Sequence, residues 1–337
     1  MRQLPLTAVI LGAGQGLRLE PITLSHSKAM TPIMGKPITC MIIENLQALG
    51  FSRFVLVIRK DDEDLRALAS EIRGEGISIK VAQQAEQLGT AHALACAREH
   101  IRDDFLLASC DNLYPGSCIR EMTESFLRHR PPAVLALFEI GPGDLDRCAG
   151  VRLEGEDVLE IVEKPGQDSG PWDAVCKFLF IFNRGILDYL DGLSRSVRGE
   201  YEVQDALQVF LAGHSHPARA VFVHDFLHLS TAEDLIAIHR HNFSNHGPFS
   251  IHQEARVEQG VKMIQPVFVD QGAYIQAGAT LGPYVYVGKW AKVLAGAYVE
   301  ESVIYANAVI PAGAMVKKEV VINTRSFSEK ISEKNFS

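Results

Sequence analysis

From Val269 onward an aliphatic residue returns every six positions, at Ile275, Leu281, Val287, Val293 and Val299, and after a one-residue slip at Ile304, Ile310 and Val316. Four places after each stands a small or short residue: Ala273, Ala279, Val285, Ala291, Ala297 and Val303, then Ala308 and Ala314. A period of six matches neither the 3.6 of a helix nor the 2 of an isolated strand. It fits short strands stacked at a fixed repeat, which is a parallel β-helix. Each hexad supplies one side of a triangular coil, so this stretch predicts fewer than three coils. The β-helix is expected over 246–323, followed by a polar, loose tail over 324–337.

The preceding 245 residues read differently. Thr7–Leu11 is a β-rich run ending in Gly12-Ala13-Gly14, and 37–49 has helical spacing with Pro near its first turn and Gly50 as the stop. Apolar strands are expected at 54–58, 77–81 and 105–109, with a charged amphipathic helix at 61–72 and an Ala-rich helix at 90–101 between them. Strands alternating with helices predict an α/β domain with a Rossmann-like, mixed, mostly parallel sheet covered on both faces. Ligands of such sheets lie beyond the carboxyl ends of the strands. The glycine turn and Asp111, which follows 105–109, both fall there.

Composition narrows the classes. A formal net charge of −8 with no basic stripe argues against nucleic acid as a partner. No apolar stretch approaches the ~18 residues of a membrane span, and the N-terminus has no signal-peptide pattern. The six cysteines (Cys40, Cys96, Cys110, Cys118, Cys148, Cys176) form no CxxC pair and read as free thiols of a cytoplasmic protein.

The glycine turn, Leu11-Gly12-Ala13-Gly14-Gln15-Gly16-Leu17-Arg18, lets backbone N–H groups approach phosphate oxygens, and Arg18 adds a charged fork. Alone it could be a bare turn, since it lacks the P-loop lysine and hydroxyl. The longer stretch over 11–37, LGAGQGLRLEPITLSHSKAMTPIMGKP, resembles the signature of the sugar-1-phosphate nucleotidylyltransferases, of the glucose-1-phosphate thymidylyl- and uridylyltransferase kind. The resemblance implies a fold of the nucleotide-diphospho-sugar transferase type and places Lys28 beside Arg18 on the triphosphate. Ser27 stands where proline usually precedes that lysine.

Further stations follow in the same order. The run Gln83 to Ala91 (QQAEQLGTA) resembles the base-recognition loop, most closely that of N-acetylglucosamine-1-phosphate uridylyltransferases, so Gln84 and the Gly89 backbone are expected to read a pyrimidine edge. Thr90 belongs to the same nucleotide-binding set, with Leu11, Gly12, Ala13, Gly14 and Gly16. The same loop is also compatible with a simple helix N-cap by Thr90. Asp111 matches the family aspartate that holds Mg²⁺, with Mn²⁺ as an alternative. Gly150, Glu163 and Lys164 match the sugar-phosphate stations. The segment Glu200 to Ala206 (EYEVQDA) matches a further family segment and is read as structural. The resemblance covers about 6–240, and β-helix extensions occur in many relatives, where a homo-oligomer through the β-helix is expected here.

Two stations depart from the pattern. Lys177 stands where relatives carry glycine, and is expected either to meet an acidic substituent of the sugar or to snorkel out of the sheet edge. Val175 replaces the asparagine expected of an N-acetylglucosamine enzyme. The second metal ligand falls on His228, or on Asp225 if the strand register shifts; histidine is a poor ligand for Mg²⁺. The reaction implied joins a nucleoside triphosphate, UTP or dTTP, to a sugar 1-phosphate, glucose 1-phosphate by default. The rival classes are a silent, nucleotide-sugar-binding regulatory paralogue, an acyltransferase, and a dinucleotide oxidoreductase. The acyltransferase lacks a coil histidine between Val269 and Val316, and the oxidoreductase lacks an acidic ribose anchor.

Overall fold

The computed structural model describes residues 3–24, 26–72, 76–243 and 249–323. The expected tail over 324–337 lies outside them. By contacts the chain divides into two units. One comprises Met1–Gly14 and Thr39–Phe226, the other Gln15–Ile38 and Leu227–Ser337.

The first unit is built on nine strands: β1 (Thr7–Leu11), β2 (Arg53–Arg59), β3 (Ser78–Gln84), β4 (Phe105–Ser109), β5 (Ala133–Phe138), β6 (Ala149–Glu154), β7 (Asp157–Glu163), β8 (Ala174–Phe182) and β9 (Ala218–Phe222). Their order is β3-β2-β1-β4-β8-β5-β9-β7-β6, with β8 also pairing β6. The half from β3 to β4 is parallel, because helices α1 (Ile38–Ala48), α2 (Glu63–Glu71) and α3 (Thr90–Ala97) carry the chain back between strands. β8 runs antiparallel to β4 and β5, which makes the sheet mixed. Helices α4 (Gly116–His129) and α5 (Val203–Ala212) complete the unit. β1, β4 and β5 are buried along their whole length, apart from Ser109, as apolar runs covered on both faces must be.

β8 is where this sheet breaks register. Cys176 pairs with Leu137 and Phe180 with Leu135, so extra residues bulge between them, and Phe178 sits at φ 66°. A non-glycine residue there is strained and persists only when neighbours fix it. The Lys177 carbonyl does so by accepting hydrogen bonds from the Asn112 amide (2.8 Å) and the Tyr114 hydroxyl.

In the second unit, residues 249–321 form three parallel sheets whose successive strands stack at each turn. One runs from Phe249–Ile251 through Val267–Val269, Val285–Val287 and Val303–Ile304 to Val320–Val321. The others start at Arg256–Val257 and Lys262–Met263. This is the β-helix, but with four full turns and the first strand of a fifth. The nine aliphatic positions from Val269 to Val316 already make three coils, more than the fewer than three expected, and the hexad extends back through Ile251, Val257 and Met263 to add a fourth. Ile275, Leu281, Val287 and Val293 fill the interior and are fully buried. Trp290 packs on the backbone of Gly272, where a Cβ would lie 2.1 Å from the indole.

Leu281→Ala should destabilise the β-helix by ~2–5 kcal/mol, since a stacked coil cannot collapse into the void. In a Trp172→Phe background, leaving Trp290 as reporter, urea unfolding followed by fluorescence should show an earlier midpoint; an unchanged midpoint would contradict a close-packed interior.

Helix α6 (Ala232–Phe243) belongs to this unit. Its start is a capping box: the Asp234 carboxylate accepts from the Ser230 and Thr231 N–H groups (both 2.9 Å), and the Thr231 hydroxyl accepts from the Asp234 N–H (3.2 Å). That explains the Thr231–Asp234 spacing without a ligand.

Candidate functional site

In the first unit, β1 ends in the glycine turn, whose Gly12 N–H donates to the Val57 carbonyl (2.7 Å). The Cys110 N–H donates to the Leu11 carbonyl (3.1 Å), so the turn and the loop holding Asp111 are tied at the ends of adjacent strands. Asp111 is half-buried and precedes Asn112, whose amide also donates to the Ser109 hydroxyl (3.0 Å).

The loop at 84–91 is fixed from two sides. The Gln84 amide donates to the Gly89 carbonyl (3.0 Å) and lies 3.2 Å from His92 Nδ1. The Tyr201 N–H donates to the Leu88 carbonyl and the Ala91 N–H donates to the Tyr201 carbonyl, both at 2.8 Å. Gly89 lies at φ 110°, and a Cβ there would come within 2.5 Å of the Tyr201 carbonyl oxygen. The segment Glu200 to Ala206 is thus the clamp on this loop. Thr90 does not cap its own helix: α3 has no side-chain cap. Its hydroxyl instead accepts from the Val203 N–H (3.0 Å) at the start of α5 and donates to Glu202 (3.4 Å).

Glu202 leads to the sugar stations. Arg198 pairs with Glu202 and with Glu163 (3.5 Å), and Lys164 also reaches Glu163 (3.5 Å). Arg198 was missed in the sequence, although an arginine two residues before Glu200 in Arg-Gly-Glu was the available signal. Burial holds the Glu163 carboxyl above its ordinary value, against the lowering effect of Lys164. Gly150 pairs with Val162 and Val175, and a Cβ on it would meet Trp172 at 2.7 Å and Pro165 at 2.9 Å, so packing alone demands glycine.

Lys177 does not snorkel. Its side chain is 19% exposed, and the ammonium pairs with Asp144 (3.2 Å) over the rings of Phe138 and Phe226, at 5.3 and 5.0 Å from their centroids. Asp225 is exposed in this unit, at the start of the loop after β9.

Glu163 gives a pH prediction. Its folded pKa exceeds the unfolded one, so between the two the native state holds more protons and stability falls as pH rises through that window. Relative to Glu163→Gln, the wild type should gain stability as pH falls through that window. Parallel pH profiles for both proteins would contradict the assignment.

In the second unit, Gly16 adopts φ 68° ahead of the 3-10 turn Leu17–Leu19, which carries exposed Arg18. The Thr23 hydroxyl donates to the Gly16 carbonyl (3.0 Å), and a Cβ on Gly16 would lie 3.0 Å from that of Lys28. Lys28, in the turn Lys28–Met30, is 8% exposed, and buried Ser27 precedes it. The strands Pro32–Ile33 and Lys36–Pro37 form a hairpin whose two turn residues, Met34 (φ 47°) and Gly35 (φ 79°), both have positive φ. His228 is half-buried ahead of α6.

Among the described residues no three His, Cys, Asp or Glu side chains cluster as a metal cage. The donor chemistry still fits Mg²⁺, which is commonly held by one or two carboxylates with substrate phosphates and water supplying the rest. No helix among the described residues is long and apolar enough to cross a membrane. The six cysteines form no disulfide.

The fold is of the nucleotide-diphospho-sugar transferase type, a mixed α/β sheet followed by a left-handed β-helix. A structure of UDP-glucose pyrophosphorylase complexed with UDP-glucose superposes with a TM-score of 0.65 at 19% identity, over 72% of this chain and 100% of that one. The sequence matches the Nucleotidyl transferase profile over residues 7–242 and the GMPPB C-terminal domain over 263–332. The chain belongs to the nucleotidyl transferase family. It is 31% identical over 209 residues to the UTP–glucose-1-phosphate uridylyltransferase AglF of Haloferax volcanii, covering 60% of this chain and 83% of that protein. It is 30% identical over 205 residues to the low-salt glycan biosynthesis nucleotidyltransferase Agl11 of the same organism, and 27% identical over 202 residues to a glucose-1-phosphate thymidylyltransferase of Streptomyces griseus. Each of these two matches covers 60% of this chain and 56% of the relative, little more than half its length.

Proposed function

We propose that this protein is a sugar-1-phosphate nucleotidylyltransferase that joins UTP or dTTP to a sugar 1-phosphate, glucose 1-phosphate first among them, and releases pyrophosphate. One observation carries the reading furthest: a continuous polar chain runs Gly89–Thr90–Glu202–Arg198–Glu163, linking the base-recognition loop to the sugar station. A protein that must place a base and a sugar phosphate in one geometry needs such a link.

In this reading the sugar phosphate oxygen attacks the α-phosphorus in line and pyrophosphate departs. The nucleophile is already anionic, so no general base is required, and catalysis comes from positioning and charge neutralisation. Arg18 and Lys28, with the backbone of the glycine turn from Leu11 to Gly16, hold the triphosphate. Gln84, Gly89 and Thr90 read the base. Gly150, Glu163 and Lys164 orient the sugar phosphate, and Lys177, neutralised by Asp144, forms a wall of that subsite. Asp111 would hold Mg²⁺ or Mn²⁺, with Asp225 or His228 as second ligand, and the ion would neutralise charge on the phosphates.

The test crosses five nucleoside triphosphates with a panel of sugar 1-phosphates in Mg²⁺ or Mn²⁺ and measures pyrophosphate. Release that needs both substrates of one pairing establishes the reaction. A second reading, a silent paralogue that binds nucleotide sugar, is favoured by Lys177 in place of glycine; nucleotide-sugar binding with no release across the panel would select it.

A further inference from the structure

The hairpin that follows Lys28 rests on the β-helix. The Tyr305 hydroxyl donates to the Pro32 carbonyl (3.1 Å). The Tyr286 hydroxyl donates to Asp270 (2.9 Å), whose other oxygen accepts from the Gln271 N–H (2.7 Å). A Cβ on Gly35, at the hairpin tip, would lie 2.8 Å from the Asp270 carboxylate and 3.0 Å from the Tyr286 hydroxyl. The fully buried His239 of α6 lies 5.1 Å from the Tyr286 ring, centroid to centroid, and faces the Pro32 backbone. Tyr286, Tyr305 and Asp270 are all buried. Outward positions of a β-helix face normally meet solvent, so burying two tyrosines and an aspartate on one face calls for a reason.

We propose that Tyr305, Tyr286 and Asp270 are positioning residues: they form a seat on the β-helix that fixes the hairpin, and through it the segment Gln15–Ile38 that carries Arg18 and Lys28, for nucleoside triphosphate. Pro32 is four residues from Lys28, and the intervening residues are a tight turn, so displacement at Pro32 reaches Lys28 with little slack. Burial raises both tyrosine pKa values and lowers that of His239 to about 3, so over the working range the hydroxyls stay donors and the imidazole stays neutral. The kinetic part of the inference rests on the reaction proposed above; the mechanical part does not.

Tyr305→Phe removes one hydroxyl and little volume. Hydrogen exchange of the unliganded full-length protein should speed up in peptides covering 15–38, with the β-helix interior at 275–299 unchanged. The KM for nucleoside triphosphate should rise about three- to tenfold, the range one net hydrogen bond supports, while the KM for sugar 1-phosphate stays within about twofold. Gly35→Ala, which crowds Asp270 from the other side, should show the same split. Unchanged exchange in 15–38 would overturn the seat. Faster exchange with an unmoved triphosphate KM would overturn its positioning role. Faster exchange in a protein whose wild type releases no pyrophosphate would uphold the seat and reject the proposed reaction.

Discussion

In the reaction proposed above, Asp111→Ala should lower kcat by about a hundred- to a thousandfold, the size of loss that follows removal of one preorganised transition-state contact. The side chain is half-buried just beyond the end of β4. The neighbouring loop is held by the Cys110 N–H, the Asn112 amide and the Tyr114 hydroxyl. The variant should therefore melt within a few degrees of wild type and still bind nucleoside triphosphate, though more weakly in Mg²⁺. Asp111→Asn should fall between the two, because the amide keeps one oxygen donor but no charge. Near-normal turnover in either variant would remove Asp111 from the metal site and shift attention to Asp225 and His228.

Gly89→Ala should be as damaging by another route. At φ 110° an added methyl is strained, and it would meet the Tyr201 carbonyl at 2.5 Å and the Tyr201 nitrogen at 2.7 Å. Relief requires pulling apart the two hydrogen bonds that join Leu88 and Ala91 to Tyr201. Strain and overpacking together should cost about 2–5 kcal/mol of stability. They should also raise the KM for nucleoside triphosphate at least tenfold, since the Gly89 carbonyl is what orients Gln84. Leu88→Ala, in the same loop, is the control for a mere loss of packing. If Gly89→Ala alters melting but not triphosphate KM, the 84–91 loop is structural and the base is read elsewhere.

Much of this architecture could be read from the residues because local signals repeat. The hexad spacing announces the β-helix, and the apolar runs at 54–58 and 105–109 announce buried strands. The first coil, inside the expected 246–323, is the hardest to read as hexads, although Ile251, Val257 and Met263 keep the register. A terminal coil has a neighbour on one side only, so Phe249 and Ile251 remain 41% and 46% exposed and charged residues such as Arg256, Glu258 and Lys262 crowd the pattern. Lys177 was visible as a departure, but not its partner: Asp144 lies 33 residues away, brought near by the β8 bulge. The Thr90 hydroxyl serves α5 rather than α3, a contact that spans 113 residues and leaves no local trace. Contacts of that range depend on topology, which spacing alone does not encode.

The division of the chain has a consequence for how the molecule is made. The segment Gln15–Ile38 is synthesised before Thr39–Phe226, yet its contacts belong with Leu227–Ser337, which is synthesised after it. Between them comes Thr39–Phe226, which belongs to the other unit. The stretch bearing Arg18 and Lys28 therefore waits, without its seat, until Asp270, Tyr286 and Tyr305 have been translated. A chain arrested before their coils are made would therefore hold the segment Gln15–Ile38 without its seat.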